Sequence, residues 1–161
     1  NNEMEWGVTS WWSDENKIKR QREYEKIFHE HIPALLAEVD TITPYWPSSP
    51  SNGIENPFND PNDMNYGDGH YWDVWHGRKP FTDYRNQFHR FMSEFGFESF
   101  PALKTVKYFA DENDFNPVSY ILECHQKNIV GNGLILHYMA LTFRFTKDFE
   151  KMVSASQLLQ A

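Results

Sequence analysis

Two glutamates, far apart in the chain, carry the chemistry that this sequence can do. Glu94 lies inside Phe91-Met92-Ser93-Glu94-Phe95-Gly96-Phe97-Glu98-Ser99-Phe100-Pro101, a short aromatic run closed by Gly and Pro. Phe91, Phe95, Phe97 and Phe100 can bury one or both faces of a strand. A carboxylate in such a run is costly unless the strand ends there and the side chain enters a polar pocket. The alternative is a structural glutamate paired with Arg90 or Arg85. Glu3 follows Asn1 and Asn2, whose side-chain amides can hydrogen-bond a ligand hydroxyl and orient the carboxylate. The alternative there is a frayed terminus. Two carboxylates across a cleft, one protonated and one ionised, are what cleavage of a glycosidic bond requires.

Elements of the right kind must bring the pair together. Residues 14–31 read as a helix, with Tyr24, Ile27, Phe28 and His31 at helical spacing and Lys and Arg on the opposite face. Pro33 can open a second short helix, Ala34 to Val39. Residues 41–53 begin as a strand and open into a loop at Pro44, Pro47 and Pro50. Residues 54–69 form an Asx-rich loop, and 70–77 read as an aromatic strand. A short helix near Asp83 to Phe88 precedes the strand that ends at Glu94. Helices follow at 117–127, 133–145 and 147–161. Strands alternating with helices predict an α/β fold with a parallel sheet. A (β/α)8 barrel uses roughly 31 residues per unit. Glu3 and Glu94 are 91 positions apart (94 minus 3), close to three units, with strand ends near Ser48 and Trp75 between them. That spacing puts the two glutamates nearly opposite each other at the mouth of such a barrel, where strand C-termini carry the chemistry.

Composition narrows the partners. The 161 residues suffice for one domain with a core. The aromatic share of 17%, with 6 Trp, suits surfaces that stack on the flat C–H faces of sugars, although any single Trp more often fills a core. A net charge of −8 disfavours nucleic acid. The sequence lacks an 18-residue apolar run and a signal peptide, so no membrane span is expected and the compartment is left open. Cys124, within the apolar pattern of Val118, Ile121, Leu122 and Ile129, is expected to be a buried, inert thiol. No metal or other cofactor is expected. His70 and His76 lack Cys or HExxH company, and the loop at Asp60 and Asn62 fails the calcium pattern at Met64. Both ends read as cut, so the chain is expected to be a piece of a longer protein.

Four ordered stretches carry a resemblance to a known family. Asn1-Asn2-Glu3 resembles the end of the Gly-Asn-Asn-Glu acid/base motif of glycoside hydrolase family 2. The stretches Pro44-Tyr45-Trp46-Pro47-Ser48-Ser49-Pro50-Ser51-Asn52-Gly53, Gly67-Asp68-Gly69-His70-Tyr71-Trp72-Asp73-Val74-Trp75-His76-Gly77 and Arg90-Phe91-Met92-Ser93-Glu94-Phe95-Gly96-Phe97 resemble the β-mannosidase branch of that family. The resemblance implies that residues 1–161 are the C-terminal part of a catalytic TIM barrel, strands 4 to 7 with their helices, lacking the other strands and the β-sandwich domains. It implies a retaining β-mannosidase acting on terminal β-mannosides. In that reading Glu3 is the acid/base, Glu94 the nucleophile, and Asn2 a partner of the sugar 2-hydroxyl. Trp11 stacks on sugar, and Ser48, Ser49, His70, Trp75 and His76 line the pocket. The isolated piece, with open sheet edges, is expected to be inactive. Two alternatives stay open: another retaining glycosidase of the family (galactosidase, glucuronidase or glucosaminidase), or a non-catalytic carbohydrate-binding module. The sequence leaves the oligomeric state open.

Overall fold

Two short parallel strands, β1 (Gly69–Tyr71) and β2 (Met92–Phe95), organise the N-terminal part of the chain. The computed structural model describes residues 1–12, 15–56 and 59–161. The chain divides into two compact units, Asn1–Phe95 and Gly96–Ala161.

In the first unit the strand register sets His70 opposite Glu94 and Tyr71 opposite Phe95. Residues paired across adjacent strands project to the same face, so this register brings His70 and Glu94 together. Two isolated bridges extend the alignment. Asn2 pairs in parallel with Ser49, and Ser51 pairs antiparallel with Asp68, just ahead of β1. A fold mixing helices with a parallel sheet is therefore observed, as the alternating pattern predicts.

The strands are shorter than expected. Residues 41–53 contribute only bridges, because Pro44, Pro47 and Pro50 have no amide hydrogen to donate to a ladder. The expected strand at 70–77 stops at Tyr71 and the chain turns, closed by the His76 amide donating to the Trp72 carbonyl at 2.7 Å. Phe91 and Phe95 are exposed rather than buried.

Helix α1 (Met4–Trp6) passes into a π-helical turn, Gly7–Trp11. Glu3 and Glu5 therefore do not share one side of an extended segment. Helix α2 (Lys17–Glu25) runs through a second π-helical turn, Lys26–His31, into α3 (Ile32–Val39). The expected start at Asp14 lies outside the described residues. The wider π turn shifts the helix face, so Tyr24 is buried while Ile27 and His31 are exposed. The predicted helix near 83–88 is a 3-10 turn, Phe81–Asn86.

The second unit is helical. Helix α4 (Leu103–Val106), not anticipated from the pattern, joins α5 (Tyr120–His125), α6 (Gly131–Thr142) and α7 (Phe149–Gln160). Ser119 caps α5 by accepting from the Leu122 amide, and Asp148 caps α7 by accepting from the Lys151 amide. Val106, Ala110 and Leu122 form one apolar cluster with Leu103, Phe109, Phe115, Ile121 and Phe149. Cys124 is exposed, contrary to expectation. It is two positions beyond the buried Leu122, on the other side of the helix.

Ile135 in α6 is fully buried, whereas Ile129, before that helix, is fully exposed. Ile135→Ala is expected to cost about 2–5 kcal/mol through lost burial and a cavity. Ile129→Ala is expected to change stability by less than about 0.5 kcal/mol. Equal shifts in the denaturant midpoints of the two variants would contradict this packing.

Candidate active site

His70 is buried, at 1% exposure, and its Nδ1 faces two carboxylates. Glu3 Oε1 lies 2.9 Å away and Glu94 Oε2 lies 3.4 Å away. The ligand-capable atoms of these three side chains all fall within 4.8 Å of one another. An imidazole N–H donating to Glu3, with Glu94 beside it, offsets the repulsion that would otherwise drive the carboxylates apart. Glu94 is therefore paired with a histidine and not, among the described residues, with Arg90 or Arg85. The His70 backbone is clamped by one side chain of the Asx-rich loop. Asn62 Oδ1 accepts from the His70 amide and Asn62 Nδ2 donates to its carbonyl, both at 2.7 Å.

Glu3 is held in an unusual conformation. Its φ of 57° lies in the left-handed region, which for a residue with a side chain costs of order 1–3 kcal/mol. Bonds on either side hold it there. The Glu3 amide donates to the Ser49 carbonyl at 2.7 Å, and the Glu3 carbonyl accepts from the Gly7 amide at 2.7 Å. Just beyond, Glu5 is fully buried and its Oε2 accepts from Ser51 Oγ at 2.7 Å and from the Tyr24 hydroxyl at 3.3 Å. Burial, helped by the Glu5 charge, pushes the Tyr24 phenol above its ordinary value, so it stays a donor. Ser48, also buried, donates to Asn1 Oδ1 at 2.8 Å and accepts from the Glu5 amide at 3.4 Å.

A second polar cluster backs His70 from its other nitrogen. His70 Nε2 lies 2.9 Å from Ser49 Oγ. Asp68 Oδ2 accepts from Ser49 Oγ at 2.5 Å and from Ser93 Oγ at 2.6 Å. Asp68 Oδ1 accepts from the Ser51 amide at 3.1 Å and from Trp46 Nε1 at 3.3 Å. Burial works against ionisation of Asp68, but these hydrogen bonds outweigh it and hold its carboxyl below the ordinary carboxylate value. Gly67, just before it, has φ +45°, and a Cβ there would sit 1.8 Å from the Ser51 carbonyl oxygen. Only glycine allows that approach.

Glu3, Trp6, Trp11, Trp72, His76 and Glu94 line an open cavity of about 450 Å³. Trp6 and Trp11 face each other with ring centroids 5.7 Å apart, and Trp72 lies 5.9 Å from His76. Two carboxylates between indole walls suit a polar ring with apolar C–H faces. Of the residues singled out from the sequence, Glu3, Glu94, Trp11 and His76 line this cavity. His70 and Ser49 stand directly behind it. Asn2 is exposed and pairs with Ser49 through its backbone. Trp75 and Ser48 are buried and do not reach the cavity. Sequence reasoning passed over Trp6, Trp72, Asp68 and Ser93. Ser93 directly precedes Glu94 and Asp68 is two residues before His70, which was the available signal. Glu3, His70 and Glu94 form a donor set that a cation could use; in the structure they satisfy one another.

No family model matches the chain. Individual proteins do match. The chain is 34% identical over 149 residues to β-mannosidase B of Aspergillus niger, covering 91% of this chain and 17% of that protein. It is 32% identical over 137 residues to β-mannosidase B of Neosartorya fischeri, covering 84% of this chain and 16% of that protein. A crystal structure of a β-D-mannosidase from Dictyoglomus thermophilum superposes with a TM-score of 0.83 at 36% identity, covering 99% of this chain and 19% of that one. The chain thus spans about a sixth of the length of the curated relatives it matches. The resemblance to β-mannosidases read from the four motifs is borne out.

The Asp68 cluster generates a pH prediction. A carboxyl whose folded value is depressed stabilises the fold above its unfolded value and loses that contribution as pH falls through the folded value. Asp68→Asn, which keeps Oδ1, is therefore expected to destabilise the protein near neutral pH. The gap from the unsubstituted protein narrows once the pH drops below the ordinary aspartate value of 3.8. Urea midpoints for both proteins at neutral and strongly acidic pH measure this; an undiminished gap in acid would count against the ionised assignment.

Proposed function

We propose, from its homology to a segment of β-mannosidases, that this chain carries both catalytic carboxylates of a retaining β-mannosidase. In this reading residues 1–161 are the C-terminal part of a (β/α)8 catalytic barrel, strands 4 to 7. The substrate is a carbohydrate with a terminal non-reducing β-D-mannose. The observation that carries the reading is the meeting of Glu3 and Glu94 around His70, with carboxylate oxygens within 4.8 Å, in an indole-walled cavity. Retaining hydrolysis uses carboxyl groups about 5–5.5 Å apart, and inverting hydrolysis about 6.5–9.5 Å, so the close approach supports double displacement. The parallel pairing of β1 and β2 and the parallel bridge at Asn2 support the barrel.

Glu94, ionised, attacks the anomeric carbon while Glu3 gives its proton to the departing oxygen. Water then takes the place of the leaving group, loses a proton to Glu3 and cleaves the glycosyl–Glu94 bond. The indoles of Trp6, Trp11 and Trp72 hold the sugar by its C–H faces. The choice of mannose over other sugars rests on the relatives' names, and a panel of nitrophenyl glycosides tests it.

In the full-length protein, Glu94→Gln is expected to abolish turnover of nitrophenyl β-mannoside. Glu3→Ala is expected to slow hydrolysis by roughly 100-fold or more when the leaving group is poor, and much less when it is good, since only a poor one needs the proton. Equal losses on the two substrates would remove Glu3 from the acid/base role.

A further inference from the structure

The hydrogens around Ser49 can be counted. Ser49 and Ser93 each own one hydroxyl hydrogen. Both oxygens sit close to the same acceptor, Asp68 Oδ2, at 2.5 and 2.6 Å. An oxygen-to-oxygen contact that short needs a hydrogen between the atoms. The two serine oxygens also lie 3.1 Å apart and Ser93 Oγ is 3.4 Å from the Gly69 carbonyl, but the shorter contacts to the carboxylate take both hydroxyl hydrogens. Ser49 Oγ has only lone pairs left for His70 Nε2 at 2.9 Å, so Nε2 must donate. On the other side Nδ1 faces, among the described residues, carboxylate oxygens of Glu3 and Glu94, so it also donates.

We propose that Asp68 is a positioning residue that, through the Ser49 hydroxyl, keeps a proton on both ring nitrogens of His70 and so makes His70 the proton reservoir for Glu3. The inference rests on the reading of Glu3 and Glu94 as the catalytic pair. The charged groups around the ring are Glu3 and Glu94 at Nδ1 and, behind Ser49, Asp68 at Nε2. In the resting site both glutamates are ionised, with the Nδ1 hydrogen bonded to Glu3 Oε1 and Glu94 Oε2 beside it at 3.4 Å. When substrate arrives, that hydrogen crosses 2.9 Å to Glu3 Oε1, and His70 becomes neutral with its Nε2–H still on Ser49. Glu3 passes the proton to the glycosidic oxygen as the carbon–oxygen bond breaks and Glu94 bonds to the anomeric carbon. Water later gives a proton to Glu3 and its oxygen to the anomeric carbon, freeing Glu94. Return of that proton to Nδ1 restores the starting state, and no co-reactant is required.

Asp68→Asn in the full-length protein is a sharp test. The retained Oδ1 still accepts from the Ser51 amide and Trp46. The new amide nitrogen donates where Oδ2 accepted, so the Ser49 hydrogen is released toward His70 Nε2 and removes its proton from the scheme. The expected result is a loss in kcat/KM of about 100-fold on phenyl β-mannoside and less than about tenfold on the dinitrophenyl analogue, carried by kcat rather than KM. Ser49→Ala cuts the same link and is expected to reproduce the selective loss, and it carries the test alone if Asp68→Asn does not fold. A folded variant that hydrolyses both substrates within about twofold of the unsubstituted protein, or that loses equally on both, overturns the inference. An unsubstituted protein that hydrolyses neither substrate overturns the underlying β-mannosidase reading instead.

Discussion

A buried imidazole between two carboxylates is the contact on which the N-terminal unit depends. With oxygens within 4.8 Å, two charged carboxylates would repel by at least about 3.5 kcal/mol at an effective dielectric near 20. His70 Nδ1 stands between them, hydrogen-bonded to Glu3 at 2.9 Å and 3.4 Å from Glu94, and offsets that repulsion. The arrangement holds only if the ring cannot rotate away. Its backbone is clamped at both polar groups by Asn62, its far nitrogen is tied to Ser49, and the Trp6 ring stands edge-on to it at 6.3 Å.

The interior of this unit is correspondingly polar. Glu5, Ser48, Ser51 and His70 are buried there beside Val8, Tyr24, Val74 and Trp75. Each buried polar group costs free energy unless it is hydrogen-bonded, and these are tied together across segments far apart in sequence. That wiring sustains the left-handed conformation at Glu3. The Ser49 carbonyl receives the Glu3 amide, and Glu5 two residues later is bound to Ser51, so a single loop grips the strained residue from both sides. The second unit, whose buried positions are mainly aliphatic and aromatic, follows the ordinary rules of helix packing.

Four of the tryptophans take one of two roles. Trp75 fills the interior, while Trp6, Trp11 and Trp72 wall the cavity beside the carboxylates. Composition alone does not separate the two, because an indole buries well against either a neighbour's side chain or the face of a sugar. What separates them is the turn after Tyr71, which carries Trp72 toward the carboxylates and Trp75 away from them.

Helical periodicity made α5, α6 and α7 legible, with ends displaced by two to three residues where Ser119 and Asp148 cap the backbone. The two glutamates were legible as well, because a carboxylate in an aromatic run and another after two asparagines are each locally anomalous. The strand lengths, the exposure of Cys124 and the displacement of Trp75 from the cavity were not, since they depend on where prolines and turns end an element. The sequence by itself determined the acidic pair, the mixed helix-and-strand pattern and the likeness to β-mannosidases. Only the tertiary structure decided that His70 bridges the pair and that Asp68, Ser49 and Ser93 stand behind it. Those contacts join residues up to 67 positions apart, and hydrogen bonding between side chains leaves no periodic trace along a chain.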